Sequence, residues 1–252
     1  MSLTVGSLFA GIGGFDLGLE RAGFTVKWQV EIDAWCQKVL TKHWPEVPKY
    51  GDIRDIDWAQ IEPVDLVCGG FPCQPFSVAG KRQGANDARN MWPEYRRCLE
   101  ALKPCWVLGE NVPGVKPYLE AVVLPDLEAL GYETAVLGIP ACALGAPHRR
   151  ERLWIAAWHP NGWKACTDHT QQGSEDVADH DQLRMEREGS QQQTTRFDEC
   201  NRLHRWSTEP NVGRVAHGVP HRVDRLRGLG NAVVPQIVEH LGHLIQAVEQ
   251  RG

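Results

Sequence analysis

No stretch of this chain is apolar for long enough to cross a membrane, and its first residues, Met1-Ser2-Leu3-Thr4-Val5, lack the charged start and long apolar core of a secretory leader. A cytoplasmic protein is expected. Positive charge is also short. The chain has 27 Lys and Arg against 32 Asp and Glu, a formal net charge of −5, which speaks against a generally basic nucleic-acid binder. A disulfide framework is missing too, since the eight cysteines are scattered without regular spacing, as fits reduced thiols. What remains is a 252-residue chain of soluble composition, long enough for one sizeable domain or for a domain with an insertion.

The little positive charge there is lies unevenly. Residues 149–227 hold 13 basic residues, 12 of them arginine, with Arg149, Arg150 and Arg152 at one end and Arg202, Arg205, Arg214, Arg222, Arg225 and Arg227 at the other. Arginine reads phosphates and guanine edges, so a local surface for a polyanion is one reading; a solvated, salt-bridged face is the other.

The stretch Gly69-Gly70-Phe71-Pro72-Cys73-Gln74-Pro75-Phe76-Ser77 follows the apolar run Asp65-Leu66-Val67-Cys68, as a loop leaving a buried strand would. Two glycines let it bend, and two prolines stiffen the turn around Cys73. A thiol held this way suits a nucleophile, whereas a buried cysteine is more often a small core hydrophobe. The loop runs on into Gly80-Lys81-Arg82-Gln83-Gly84-Ala85-Asn86-Asp87, a polar segment that fits a lid.

Ahead of it, Val5–Phe9 reads as a strand entering the turn Ala10-Gly11-Ile12-Gly13-Gly14, with a helix closed by Gly23 and a second strand from Phe24 to Val30 ending at Glu31. Strand, glycine turn, helix and carboxylate form a dinucleotide-type arrangement, although the glycines depart from G-x-G-x-x-G and suit a nucleoside ligand without phosphates. Ala34–Trp44 reads as a helix. Asp52 then lies at the tip of a third strand, where it can bind an adenine amino group or simply make a turn beside Gly51. After a helix from Trp92 to Leu102, the apolar strand Trp106–Val112 carries Glu110-Asn111 to the edge where open α/β sheets bind ligands. A carboxyl in that crevice stays protonated longer and suits a general acid; a loop-capping carboxylate is the alternative.

Leu119–Leu130 is helical in pattern, Tyr132–Ile139 strand-like and Leu144–Pro147 a turn, before His148-Arg149-Arg150-Glu151-Arg152 leads into the strand Leu153–Trp158. Alternation places Arg150 and Arg152 on one face. From His159 to Ser207 sustained apolar periodicity disappears, as in an irregular insertion. Cys166 with His169, and Cys200 with His204, have spacings that can hold zinc, but such pairs arise easily in a polar segment and no metal is expected. A closing helix starts at Pro235, its apolar face made of Ile237, Leu241, Leu244, Ile245 and Val248, and its docking on the first domain brings Asn231 towards the glycine turn.

In order, Phe9-Ala10-Gly11-Ile12-Gly13-Gly14, Glu31, Gly51-Asp52-Ile53, Pro72-Cys73-Gln74, Glu110-Asn111-Val112, Arg150-Glu151-Arg152 and Gly230-Asn231-Ala232-Val233 resemble the motif series of the DNA (cytosine-5)-methyltransferase family. The segment Arg222–Arg227 is similar to that of compact phage and prophage members. The resemblance implies a Rossmann-like, doubly wound, mostly parallel α/β sheet that binds S-adenosylmethionine, with a small irregular target-recognition region inserted before the C-terminal helix. Residues 1–158 would form the cofactor-binding and catalytic domain, 159–221 the recognition region, and 222–252 a segment and helix packing back. By the same resemblance, Phe9, Ala10, Gly11, Ile12, Gly13 and Gly14 border the cofactor. Glu31 holds its ribose, Asp52 and Ile53 meet its adenine and Asn231 approaches its methionine end, while Ile32, Pro72 and Ala232 also belong to the site, with a further adenine-side contact near Trp92. Cys73 is implied as nucleophile and Glu110 as acid, with Arg150 and Arg152 beside a flipped cytosine. Double-stranded DNA is the implied partner of a monomer, and a restriction endonuclease of the same host a candidate second one. Two alternatives stand beside this: methylation of tRNA cytosine, whose branch carries a Cys-Phe-Thr element absent from Pro113-Gly114-Val115-Lys116, and an inactive DNA- or cofactor-binding homologue.

Overall fold

Seven strands form one sheet in the computed structural model, which describes residues 2–72, 90–146, 148–160 and 222–250. Cys73, the expected lid, both zinc-spaced pairs and nearly all of the expected recognition region lie outside the described residues. The elements, in chain order, are β1 (Thr4–Leu8), α1 (Gly14–Arg21), β2 (Thr25–Val30), α2 (Ala34–His43), β3 (Lys49–Tyr50), β4 (Leu66–Gly69), α3 (Trp92–Leu102), β5 (Trp106–Asn111), α4 (Lys116–Tyr118), α5 (Leu124–Ala129), β6 (Glu133–Pro140), β7 (Glu151–Trp158), α6 (Arg222–Asn231) and α7 (Pro235–Glu249). The strand order is β3-β2-β1-β4-β5-β7-β6; the first five strands run parallel, and β7 is antiparallel to both of its neighbours. This is the expected mostly parallel α/β sheet.

The central strands read as continuous apolar runs because both of their faces are covered. In β4, Leu66, Val67 and Cys68 are all fully buried. One layer joins Leu8, Val67 and Val107 to Trp92, Tyr95 and Leu99 of α3. The other joins Val5, Leu66 and Leu108 to Phe15 and Leu19 of α1 and to Ile237, Val238 and Leu241 of α7. At about 25 cal/mol per Å² of apolar surface, each fully buried leucine in these layers contributes on the order of 2 kcal/mol against chain entropy.

Two glycines are required by geometry. Gly13 precedes α1 with φ 85°, and a side chain there would run into the Trp44 ring at 2.4 Å. Gly18 lets α7 approach α1 so closely that a Cβ would lie 2.5 Å from Val238 and 2.6 Å from the Pro235 carbonyl. That close contact rotates the buried stripe of α7 to Ile237, Val238, Leu241, Gly242 and Ile245. Leu244 and Val248, expected on the apolar face, are instead half exposed.

Other differences have local causes. The helix expected from Leu119 begins at Lys116 and widens into a π turn at Leu119–Val123, where the Leu124 amide reaches back to the Leu119 carbonyl. Pro125 has no amide hydrogen with which to continue the ordinary ladder. Strand β7 starts two residues earlier than expected, because Glu151 and Arg152 pair with Pro140 and Ile139. Arg150 precedes it at φ 28°, so strand alternation does not place the two arginines together. Residues 222–231, expected only as a segment ahead of the closing helix, are themselves helical. Cys68, Cys98 and Cys142 are free thiols. Among the described residues, no helix is long and apolar enough to cross a membrane, and no cluster of three His, Cys, Asp or Glu is placed to hold a metal.

Candidate active site

A cleft of about 670 Å³ opens where β1, β2, β4 and β5 end. Chain direction explains its position: parallel strands deliver their following loops to one edge, and the loops diverge around a crevice.

One side of the cleft is built on the glycine turn. Phe9 and Gly11 both take left-handed backbone conformations, at φ 51° and 58°, and the Ala10 amide donates to the Val30 carbonyl at 3.0 Å, tying the turn to the end of β2. Glu31 follows β2 directly. Its Oε2 accepts from the Gly11 amide at 2.7 Å and its Oε1 from the Asp33 amide at 2.8 Å, so the carboxylate is fixed with a lone pair remaining on each oxygen. Asp33 then caps α2 by accepting from the Trp35 and Cys36 amides. Ile32 lines the cleft while 66% exposed, which leaves an apolar surface for a ligand to cover.

The far end is formed by Gly51, Asp52, Ile53 and Arg54. Asp52 caps a single 3-10 turn at Ile53–Asp55 and accepts from the Arg54 guanidinium, which holds its carboxyl down at about 2. The turn expected beside Gly51 is therefore present, and the residue that caps it also lines the cleft.

The opposite side holds Glu110. Antiparallel β7 pairs Glu110 with Trp154 and Asn111 with Leu153, so Arg152 falls at the cleft edge with its Nε 2.9 Å from Glu110 Oε1. Burial pushes the Glu110 carboxyl above the ordinary carboxylate range, and the Arg152 and Arg150 charges offset part of that rise. Arg150 donates to the Gly230 carbonyl at 3.0 Å and the Ala232 carbonyl at 2.7 Å, clasping the chain between α6 and α7 to the cleft. Asn231, Ala232 and Val233 thereby become lining residues. Asn111, 5% exposed, donates from Nδ2 to the Phe71 carbonyl at 3.0 Å while its Oδ1 accepts from the Val112 amide. This bond anchors the exit of β4, and Pro72, the last described residue before Cys73, lines the cleft.

Of the residues expected from sequence, Phe9, Ala10, Gly11, Gly14, Glu31, Ile32, Asp52, Ile53, Pro72, Glu110, Arg150, Arg152, Asn231 and Ala232 line this one cleft. Ile12 and Gly13 do not: Ile12 packs against Gly228, and Gly13 faces Trp44 and Leu40. The contact expected near Trp92 falls where Met91, not the indole, faces the cleft. Trp92 itself is 3% exposed, and its indole donates to Asp126. Asp33, Cys36, Arg54 and Asn111 also line it without having been singled out as site residues. Asp33 and Cys36 are legible afterwards as the cap and first turn of a helix that starts at the cleft edge.

The sequence model of the C-5 cytosine-specific DNA methylases matches residues 3–216. The chain is 37% identical over 166 residues to the Type II methyltransferase M.BsuFI of Bacillus subtilis, a match covering 64% of this chain and 40% of that protein. It is 35% identical over 154 residues to M.HhaI of Haemophilus parahaemolyticus, covering 59% and 46%. The chain thus spans less than half the length of these two relatives. Among solved structures, a DNA modification methyltransferase encoded within an E. coli prophage is similar with a TM-score of 0.55 and 29% identity over 64% of this chain and 47% of the other. The Entamoeba histolytica methyltransferase EhMeth is similar with a TM-score of 0.56 and 25% identity, covering 63% and 53%. With the glycine turn, the buried Glu110 and the clasping arginines gathered in one cleft, and with that sequence match running through most of the 252 residues, the chain belongs to the C-5 cytosine-specific DNA methylase family.

Proposed function

We propose that this protein transfers a methyl group from S-adenosylmethionine to carbon 5 of a cytosine flipped out of duplex DNA, with Cys73 as nucleophile and Glu110 as general acid. The observation that carries this proposal is the buried Glu110–Arg152 pair, which shares one cleft with the Glu31-stapled glycine turn and with Pro72, the residue bonded to Cys73.

The described residues fit a nucleoside with an amino-acid tail and no phosphates. Among the described residues no lysine lines the cleft, and the arginines at its wall are already engaged, Arg54 by Asp52, Arg150 by two carbonyls and Arg152 by Glu110. A pyrophosphate would meet no uncommitted cation among them. In this proposal Glu31 accepts from the ribose hydroxyls, Asp52 and Ile53 border the adenine, and Asn231 and Ala232 border the methionine end. When bound, the cofactor supplies an activated methyl group on a sulfonium.

The chain's own groups prepare the base. The Cys73 thiolate forms a bond to carbon 6 while Glu110 gives its proton to ring nitrogen N3, and the electron pair released into the ring makes carbon 5 nucleophilic. After transfer, the carbon 5 proton is lost to solvent, the thiolate leaves carbon 6 and N3 returns its proton to Glu110, which restores aromaticity and resets both groups. Carbon 6 is out of reach inside a duplex, so the base must leave the stack, at a cost of about a few kcal/mol that protein contacts offset. Arg150 and Arg152 stand beside the base in this scheme, and target recognition belongs to residues 159–221.

Incubation with tritiated S-adenosylmethionine and either duplex DNA or tRNA tests the proposal. Label is expected in DNA alone and absent with Cys73→Ala. Label in tRNA alone would overturn the substrate assignment, and label that survives loss of the thiol would overturn the mechanism.

A further inference from the structure

The segment that forms the far end of the cleft has little regular structure of its own. Between Gly51 and Ile61 it consists of two single 3-10 turns, Ile53–Asp55 and Trp58–Gln60, each only one turn long; the first opens on a 3.1 Å bond from the Asp55 amide to the Asp52 carbonyl, and its second bond, from the Ile56 amide to the Ile53 carbonyl, is stretched to 3.5 Å. Burial of Ile53, Ile56, Trp58 and Ile61 holds the segment against the core, while the carbonyls of Ile53 and Ile56 take their hydrogen bonds from outside it.

Arg97 supplies these bonds from α3. Its Nη2 donates to the Ile53 carbonyl at 2.7 Å and its Nη1 to the Ile56 carbonyl at 2.9 Å, so one guanidinium bridges the start of the first turn and the residue after it. Glu94, three residues back on the same helix, takes the Nε proton at 2.8 Å and sets the plane of the fork, and the Trp58 ring lies under the guanidinium carbon at 5.9 Å. Only arginine offers several donors in one rigid plane; the single ammonium of a lysine cannot reproduce the fork. Arg97 is absent from the cleft wall, yet Gly51, Asp52, Ile53 and Arg54 in front of it all belong to that wall.

The same helix braces the other side. Trp92 and Tyr95 pack on Phe71 with ring centroids 5.4 and 6.3 Å apart, directly before Pro72. Helix α3 thus touches both the loop leading to position 73 and the turn carrying Asp52, through different side chains.

We infer that Arg97 is a positioning residue for the base end of the nucleoside cofactor: through two backbone carbonyls it fixes the turn that presents the Asp52 carboxylate, and so sets the preference for a 6-amino over a 6-oxo purine. The inference rests on the S-adenosylmethionine proposal above. It assigns Arg97 no contact with ligand, DNA or the reacting atoms.

The test uses the full chain and two ligands that differ only at purine position 6, S-adenosylhomocysteine and its deaminated counterpart S-inosylhomocysteine, titrated calorimetrically into wild type, Arg97→Lys and Arg97→Met. Thermal melts of all three proteins report folding, and Arg97→Lys keeps the charge if the apolar variant is too unstable to purify. Loss of two charge-assisted hydrogen bonds to the turn is expected to weaken the 6-amino ligand about tenfold, while the 6-oxo ligand changes by no more than about twofold. The amino-over-oxo ratio therefore falls about five- to tenfold. Equal weakening of both ligands would mark Arg97 as a general structural residue and overturn the inference. Unchanged affinity for both would overturn it too, leaving the cofactor proposal standing. Wild-type protein that binds neither ligand would overturn that proposal and this inference with it.

Discussion

A carboxyl group that hands a proton to a ring nitrogen near neutral pH must hold it more tightly than a free glutamate does, and Glu110 gains that from burial at the end of β5. Arg152 pulls the other way, since its charge 2.9 Å away favours the ionised form. Glu110→Gln is expected to lower the methyl-transfer rate by about 10²- to 10⁴-fold while leaving cofactor affinity within a factor of about two, measured by tritium transfer and by ligand titration. Replacing Arg152 with Gln removes the charge that lowers the Glu110 pKa, so the alkaline limb of the rate profile should move to higher pH. A limb that stays put or moves to lower pH would mean that Glu110 is not the group titrating. Glu110 and Arg152 were legible in the sequence as residue types within short patterns. Their pairing was not, because it depends on the antiparallel register of β7, which no local pattern contains. Near Trp92 the sequence points to the neighbourhood but not the residue: Met91 reaches the cleft while the indole is buried and bonded to Asp126.

At the scale of elements, two contacts do most to hold the cleft together. Asn111 links the ends of β5 and β4 by its bond to the Phe71 carbonyl. Its replacement by Ala leaves that buried carbonyl without its partner and loosens the chain just before Pro72. The turnover rate should fall about tenfold while the cofactor dissociation constant stays within about twofold, a split that equilibrium titration beside steady-state kinetics detects. The other contact is the crossing of α1 and α7 at Gly18, where any side chain meets Val238 and the Pro235 carbonyl. Gly18→Ala should cost about 1–3 kcal/mol of stability, read as a lower midpoint in denaturant titration, because the helices must separate to admit a methyl group. Strands β1, β2, β4 and β5 and helices α1, α2 and α3 were legible from apolar runs, caps and glycine stops. Helix α6 was not, since Gly228 and Gly230 carry low helix propensity and tertiary contact outweighs it: Gly228 packs against Trp35 and Ile12. The exposed side of α7 escaped for a related reason, because periodicity gives a stripe but not the rotation that close approach to α1 imposes.

Over the whole molecule, the doubly covered sheet buries a carboxyl group that the proposed chemistry does not use. Asp16 lies fully buried beneath α1, accepting from Ser7 Oγ at 3.2 Å and Gln29 Nε2 at 2.8 Å, and burial raises its pKa from 3.8 to about 6. Since the folded value exceeds the unfolded one, its stabilising share is complete below about pH 4 and is lost as pH rises to about 6. The difference amounts to about 3 kcal/mol, and Asp16→Asn should remove that slope from a plot of unfolding free energy against pH. A wild-type slope in this window that persists in the variant would show that another group produces it. The same sheet delivers the glycine turn, Glu31, Pro72 and Glu110 to one edge, which is why residues more than 200 positions apart in sequence, Phe9 and Ala232, share a single cleft.

The central claim, covalent activation of a cytosine by Cys73 with help from Glu110, is tested most directly by placing 5-fluorocytosine in a duplex target, incubating it with the protein and S-adenosylmethionine, and measuring the intact mass of the product. Fluorine cannot leave as the carbon 5 proton does, so a stable protein–DNA adduct carrying one added methyl group is predicted, with the cross-linked peptide containing Cys73 and no adduct from Cys73→Ala. Label transferred to ordinary cytosine DNA without any adduct on the fluorinated duplex, or an adduct mapped to another residue, would contradict it.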